Sequence, residues 1–212
     1  MKIQLALDLL DINKILEIIN ETIEYIDVIE LGTPLIMKYG INIVNDIKNI
    51  HRNKYILADL KIADGGKKEA EIGFKAGADI ITVLSHSDKN TLLYVKEASK
   101  NFNKKVMLDF LNNDFNKNNY LNLLKYEFDF YCIHTSHDST YDGHNPLNDL
   151  KRFNKICNKN KIAVAGGINL KLIDKIIVYE PSLIIIGSHI TNNDNPKIVA
   201  ENIFNKINNV SK

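Results

Sequence analysis

A barrel of eight β–α units is the architecture that this 212-residue sequence predicts. Three observations predict it. Short aliphatic runs alternate with longer amphipathic segments along the whole chain. The aliphatic runs read as strands buried on both faces, as parallel strands covered by helices are. No linker, low-complexity segment or break in composition divides the chain, so residues 1–212 are expected to form one (β/α)8 domain. The length is somewhat short for a closed barrel, and a doubly wound open sheet is the competing architecture.

In chain order, the strand candidates are residues 3–7, 27–31, 55–61, 79–84, 105–110, 129–134, 161–165 and 182–187. The first opens the chain as Lys2-Ile3-Gln4-Leu5-Ala6-Leu7-Asp8. The third, from Tyr55 to Leu60, is mostly aliphatic and aromatic until it ends in charge. Helical periodicity covers residues 12–25, 35–51, 66–76, 88–101, 116–126, 146–158, 169–179 and 196–209. Lys75-Ala76-Gly77-Ala78-Asp79 closes one helix on a glycine before entering the next strand. Pro146 and Pro196 stand at helix starts, where a missing N–H does no harm.

Composition limits the function classes. Hydrophobic residues make up 45% and charged residues 25%, which argues against disorder. The formal net charge of +1 leaves no basic footprint for nucleic acid. The Lys- and Asn-rich runs read as solvated helix ends and loops. No secretory signal opens the chain, and no apolar run approaches the roughly 20 residues that span a bilayer. Cys132, in an apolar strand, and Cys157, in a predicted helix, lack metal-type spacing and read as reduced packing residues. A cytoplasmic enzyme is the expectation.

The chemistry lies at the strand ends. Asp8 closes the first strand, Glu30 the second, Asp59 and Lys61 the third, Asp109 the fifth and His134 the sixth. Asp59 and Lys61 stand two apart and so point to the same side, and Asp64 follows in the next loop. In a barrel these C-terminal ends meet around one mouth, where such enzymes place their sites. One terminal acid is usually a helix cap; six ionisable groups at one end of five strands make an ensemble. Glu30 and Asp59 are hard oxygen ligands suited to Mg²⁺, or alternatively acids neutralised by Lys61. Lys61 could instead stabilise an enediolate oxygen. His134 is the natural proton shuttle, because imidazole titrates near neutrality. Ala165-Gly166-Gly167-Ile168 and Ile186-Gly187-Ser188 follow the last two strands, where barrels commonly grip phosphate through backbone N–H groups.

These residues carry a family resemblance. Leu5-Ala6-Leu7-Asp8, Ile29-Glu30-Leu31-Gly32-Thr33-Pro34, Ala58-Asp59-Leu60-Lys61 with Asp64, and Ala163-Val164-Ala165-Gly166-Gly167-Ile168 resemble the orotidine monophosphate decarboxylase suprafamily. The similarity runs over nearly the whole chain. It is greatest to the branch of 3-hexulose-6-phosphate synthases and 3-keto-L-gulonate-6-phosphate decarboxylases. The resemblance implies that Glu30 and Asp59 hold Mg²⁺ and that Lys61 stabilises an enediolate. It implies that Asp64 reaches the neighbouring subunit's site in a homodimer with shared active sites. Asp8, Glu30, Thr33 and Ala165 would contact the sugar, and Gly167, Gly187 and Ser188 its phosphate.

Four positions separate the two activities. Decarboxylases of this branch carry Glu after strand five, Arg three residues beyond the strand-six His, Thr before the Gly-Gly, and Arg after the strand-eight Gly. Here Asp109, His137, Ala165 and Ser188 stand there, and three of the four resemble the synthases. Both arginines are missing, and with them the obvious cationic partners for a more acidic sugar phosphate. The resemblance thus implies reversible addition of a small aldehyde, formaldehyde, to ribulose 5-phosphate, with His134 and Asp109 handling the protons. The decarboxylase is the alternative, and a sugar-phosphate-sensing barrel without catalysis a third reading. His86, His137, His144 and His189, with the stretch Ser139-Thr140-Tyr141-Asp142-Gly143-His144, depart from the branch pattern; they read as solvated loop groups or as tuning of proton transfer and substrate.

Overall fold

The computed structural model describes residues 1–111, 116–140 and 143–209, without the side chains of Lys117, His137, Thr140 and Asn209. The expectations attached to the His137 side chain and to Tyr141 and Asp142 lie outside the described residues.

Eight parallel strands close on themselves in sequence order, β1 pairing with both β2 and β8. They are β1 (Lys2–Leu7), β2 (Val28–Leu31), β3 (Tyr55–Ile62), β4 (Ile80–Leu84), β5 (Lys105–Asp109), β6 (Phe130–His134), β7 (Ile162–Ala165) and β8 (Leu183–Ile186). The helices are α1 (Ile12–Thr22), α2 (Thr33–Tyr39), α3 (Asn42–Ile50), α4 (Gly66–Lys75), α5 (Lys89–Phe102), α6 (Lys117–Leu124), α7 (His137–Thr140), α8 (Leu147–Phe153), α9 (Leu170–Ile176), α10 (Ser188–Thr191) and α11 (Pro196–Asn209). The open sheet is therefore excluded.

Alternation along the strands builds two cores. Outward residues such as Leu5, Ile29, Ala58, Ile81, Leu108 and Ile133 pack beneath the helices. Inward residues fill the barrel in layers. Val28, Ile80, Phe130 and Leu183 lie at the base. The inward positions above are Gln4, Leu57, Met107 and Ala163, then Glu30, Thr82, Cys132 and Ile185, then Ala6, Asp59, Asp109 and Ala165. Polarity rises with height, so the ionisable groups converge at the C-terminal mouth.

The base is fixed by acids just ahead of the even strands. Asp27 accepts from the N–H of Ile3 at 2.9 Å, Asp79 from that of Ile56 at 3.0 Å, and Asp129 from that of Val106 at 3.0 Å. Asp79 also binds Lys48 at 2.7 Å and Lys104 at 2.6 Å. The sequence pattern put these acids inside the strands; they instead precede them.

Several helices are shorter than their periodicity. The segment 35–51 is two helices, because Gly40 adopts φ +75° and closes α2 with its N–H on Ile36 O at 2.8 Å. The segment 169–179 tightens into a 3₁₀ turn over Ile177–Tyr179. The segment 146–158 stops at Phe153, with Pro146 as its cap, leaving Cys157 beyond the helix. Both cysteines are free thiols. Among the described residues, no helix is long and apolar enough to cross a membrane.

One aromatic cluster anchors the β5–β6 side. Phe153 is fully buried, its ring centroid 5.3 Å from Tyr120, 5.4 Å from Phe110 and 6.2 Å from Tyr131. Phe153→Ala is expected to cost about 3–5 kcal/mol. In urea unfolding the midpoint should fall while the m-value stays unchanged.

Candidate active site

The charged end of β3 is built on an irregular backbone. Pairing between β3 and β4 shifts register between Ala58 and Ile62, and Lys61 adopts φ +46°, the left-handed region. Its N–H is held by the Thr82 hydroxyl at 2.8 Å. The turn leaves Lys61 Nζ against Asp59 Oδ2, with Thr33 Oγ1 at 3.4 Å.

Asp59 is buried, and both its oxygens are engaged. Thr82 Oγ1 donates to Oδ1 at 2.8 Å, and Thr33 Oγ1 lies 3.0 Å from Oδ2 and 2.7 Å from the Asp59 carbonyl. Burial alone would pull the Lys61 ammonium down. Asp59, then Asp109 and Glu30, outweigh it and hold the group above its ordinary value. The pairing anticipated for Lys61 thus forms with Asp59.

Glu30 has a different environment. Gln4 Nε2 donates to its Oε2 at 2.6 Å, while Oε1 takes no hydrogen bond among the described residues. Burial, then repulsion from Asp59 and Asp8, pushes the Glu30 carboxyl up to about 8. Crowded acids of this kind are relieved by a cation. The fit to a hard divalent ion is good. Glu30 has an uncommitted oxygen, and Asp59 Oδ1 has only one partner among the described residues.

Across the mouth, Asp109 and His134 form a pair. His134 Nδ1 lies 3.0 Å from each Asp109 oxygen, and the Leu111 N–H binds Oδ1 at 3.0 Å. An Nδ1–H donated to Asp109 leaves Nε2 to exchange a proton with a ligand. Burial would lower the imidazole, but the Asp109 charge and hydrogen bond raise it overall. The same burial and the charges of Asp109, Glu30 and Asp59 hold the Cys132 thiol well above its ordinary value.

The remaining sequence-predicted residues ring this centre. Asp8 is exposed at the end of β1, and Gly32 permits its position, since a Cβ at Gly32 would collide with Asp8 Oδ1. Asp64 is exposed in the β3–α4 loop and accepts from the Gly65 N–H at 2.7 Å. Ala165 ends β7 and is buried. Gly166 follows with φ +100°, where a Cβ would collide with Thr135 O. Gly167 lines a cavity of about 430 Å³ with His144, Asn145, Lys171 and Lys175. Gly187 caps α10, and Ser188 is exposed at its start. His86 and His144 are exposed, while His189 keeps its Nε2 buried and unpartnered among the described residues.

Sequence reasoning missed Gln4, Thr82, Lys171 and Lys175. The signal for the first two was present: each is a polar residue at an inward position of a core strand. A second cavity of about 460 Å³ lies at the opposite mouth, lined by Lys2, Tyr55, Lys105 and Phe130 among others. That end of such barrels serves stability, so the chemistry is assigned to the C-terminal mouth.

The geometry has its counterpart in known proteins. A profile described as the orotidine 5'-phosphate decarboxylase / HUMPS family matches residues 1–203. The chain belongs to that family. It is 37% identical over 191 residues to a 3-hexulose-6-phosphate synthase of Bacillus subtilis, covering 90% of this chain and 91% of the relative. The crystal structure of 3-hexulose-6-phosphate synthase from Salmonella typhimurium superposes with a TM-score of 0.95 at 34% identity, covering 99% of each chain. That of 3-keto-L-gulonate-6-phosphate decarboxylase from Vibrio cholerae gives 0.85 at 22% identity, covering 98% of this chain and 97% of that one, a likeness of fold alone. The relatives named as synthases thus match this family member better in sequence than the decarboxylase does.

Proposed function

We propose that this protein is a 3-hexulose-6-phosphate synthase, a lyase that reversibly adds formaldehyde to ribulose 5-phosphate. The observation that carries this reading is the Asp109–His134 pair facing the Lys61 ammonium across one mouth. The names of the relatives support the choice of sugar and aldehyde.

His134, oriented by Asp109, takes a proton from the sugar carbon beside the carbonyl. The Lys61 ammonium lies against the oxygen on which negative charge develops, so the enediolate is stabilised without reorganisation. That carbon then attacks formaldehyde, forming the new C–C bond. The resulting alkoxide takes the proton back from the imidazolium, so no proton is gained or lost overall. The positive-φ glycines Gly166 and Gly167, with Gly187 and Ser188, would receive the phosphate, and Lys171 and Lys175 supply positive charge nearby. Asp8 and Thr33 would bind sugar hydroxyls.

Glu30 and Asp59 would hold Mg²⁺, which when bound supplies a hard positive charge that orients and polarises the sugar oxygens. The sign of the pH dependence tests this. With no cation bound, Glu30 stays protonated from its ordinary value near 4.5 up to about 8 in the folded chain. The folded state therefore binds more protons than the unfolded one across that window, and this group's contribution to stability is lost as pH rises through it. Mg²⁺ should displace the proton. The Mg²⁺-induced rise in Tm should be larger at about pH 9 than at about pH 6, and EDTA should reverse it. Equal gains at both pH values, or no gain, would count against the assignment of Glu30; Glu30→Gln should flatten the response.

We further propose a homodimer in the cytoplasm. Met37 on α2, 80% exposed, and Ile72 on α4, Leu93 and Tyr94 on α5 give exposed apolar surface, and Asp64 is exposed in the loop that leads into α4. Sedimentation should give twice the 24.1 kDa chain mass.

The deciding assay supplies Mg²⁺ and offers ribulose 5-phosphate plus formaldehyde, then 3-keto-L-gulonate 6-phosphate. Formaldehyde consumption is expected from the first. CO₂ from the second, with no formaldehyde consumed in the first, would make it a decarboxylase instead.

A further inference from the structure

The wall shared by β5 and β6 holds a thiol, Cys132, that the proposed chemistry leaves unused. A carboxylate oxygen of Asp109, Cys132 Sγ and a ring nitrogen of His134 all lie within 4.8 Å of one another. Asp109 and Cys132 are register partners, exposed by only 3% and 2%, and His134 lies two residues farther along the same inward face. One oxygen, one sulfur and one nitrogen donor make a borderline-soft set, unlike the all-oxygen pair of Glu30 and Asp59. Mg²⁺ has little affinity for a thiolate, whereas Zn²⁺ and Co²⁺ accept all three donors. Three protein ligands would leave a fourth position open.

Charge favours occupancy. A carboxylate, a thiolate and a neutral imidazole sum to −2, which one dication cancels inside a buried wall. The nearby Asp59 carboxylate adds further attraction for a cation. Tetrahedral bonds of about 2.0–2.3 Å need donors about 3.3–3.8 Å apart, so side-chain rotations of roughly 1 Å would close the site. On binding, the Cys132 thiol releases its proton to solvent, and the imidazole keeps its single proton on the nitrogen that does not bind.

We propose that Asp109, Cys132 and His134 form a second cation site, selective for thiophilic dications over Mg²⁺, whose occupation removes the proton-handling pair and stops turnover. The binding is independent of the proposed function; the inhibition rests on it.

Co²⁺ is the probe, titrated into the full-length protein. A thiolate-to-cobalt charge-transfer absorption in the near ultraviolet is expected, which cobalt at Glu30 and Asp59 cannot produce. The band should vanish in Cys132→Ser and Cys132→Ala and persist in Cys157→Ser, with circular dichroism verifying each fold. His134→Gln, which keeps both thiols but removes a direct ligand, should weaken Co²⁺ binding by more than the roughly 10–100-fold that losing an outer-shell partner costs. Stoichiometric Zn²⁺ should suppress Mg²⁺-dependent turnover of the wild type in proportion to the site occupied and leave Cys132→Ser unaffected. No thiolate band at saturating Co²⁺, or a band that survives in the folded Cys132 variants, would overturn the site. A band assigned to Cys132 with turnover untouched by Zn²⁺ would keep the site and reject the inhibition, together with the proton role of Asp109 and His134.

Discussion

Lys61→Ala should lower kcat for formaldehyde addition about 10²–10³-fold while leaving KM for the sugar phosphate nearly unchanged. The ammonium is fixed by Asp59 and lies 3.4 Å from Thr33 Oγ1, so its charge is in place before the enediolate forms. Lys61→Arg should not rescue turnover, because a planar guanidinium cannot repeat a point charge in that space. A companion substitution separates chemistry from backbone. At φ +46° any residue with a Cβ carries a left-handed cost of about 1–2 kcal/mol. Lys61→Gly should therefore be as inactive as Lys61→Ala yet melt at a higher temperature. Full activity in Lys61→Ala under saturating Mg²⁺ would remove Lys61 from the mechanism.

Asp59→Ala should be the most destabilising change at the mouth. It deletes the acceptor of the Thr82 hydroxyl, while Thr33 keeps the Asp59 carbonyl, and it leaves the Lys61 ammonium without its closest partner. Breaking a buried pair this way costs about 3–5 kcal/mol. The lower end is expected, since the Lys61 side chain is 26% exposed and water can take up part of the loss. Asp59→Asn keeps an oxygen acceptor for the Thr82 hydroxyl and should cost less, while Mg²⁺-dependent activity falls in both. Urea unfolding with and without Mg²⁺ measures the two effects. A loss below about 1 kcal/mol in Asp59→Ala would mean that Glu30 or Asp109 takes over the ammonium.

The alternation of aliphatic and amphipathic runs made the barrel legible, because a fold of repeated units writes the same pattern eight times. The site was legible for a related reason: charge at the end of a buried strand has few explanations. Other features leave weaker marks. Gly40 interrupts a pattern that reads as one helix, and a single glycine does not announce a positive φ. The period of two predicted that Asp59 and Lys61 point the same way, whereas they meet through a bulge that no pattern reveals. Thr82 looks like an ordinary β-branched strand residue until Asp59 is placed beside it. Cys132 reads as packing because Asp109 joins it and His134 only when β5 and β6 pair.

The carboxylates at the floor of the barrel have a consequence for accuracy. Asp27, Asp79 and Asp129 each tie the start of an even strand to the strand before it, and Ser182 does so for β8 through its hydroxyl on Ile162 O at 2.9 Å. A strand slipped by one residue would break its tie and turn every inward group outward. The heights at which Glu30, Asp59, Asp109 and His134 emerge are thus calibrated far from any substrate, by groups that never touch it. Variation at the mouth can then alter what is bound without disturbing the alignment, whereas a change at one floor aspartate would misplace a whole column of side chains at once.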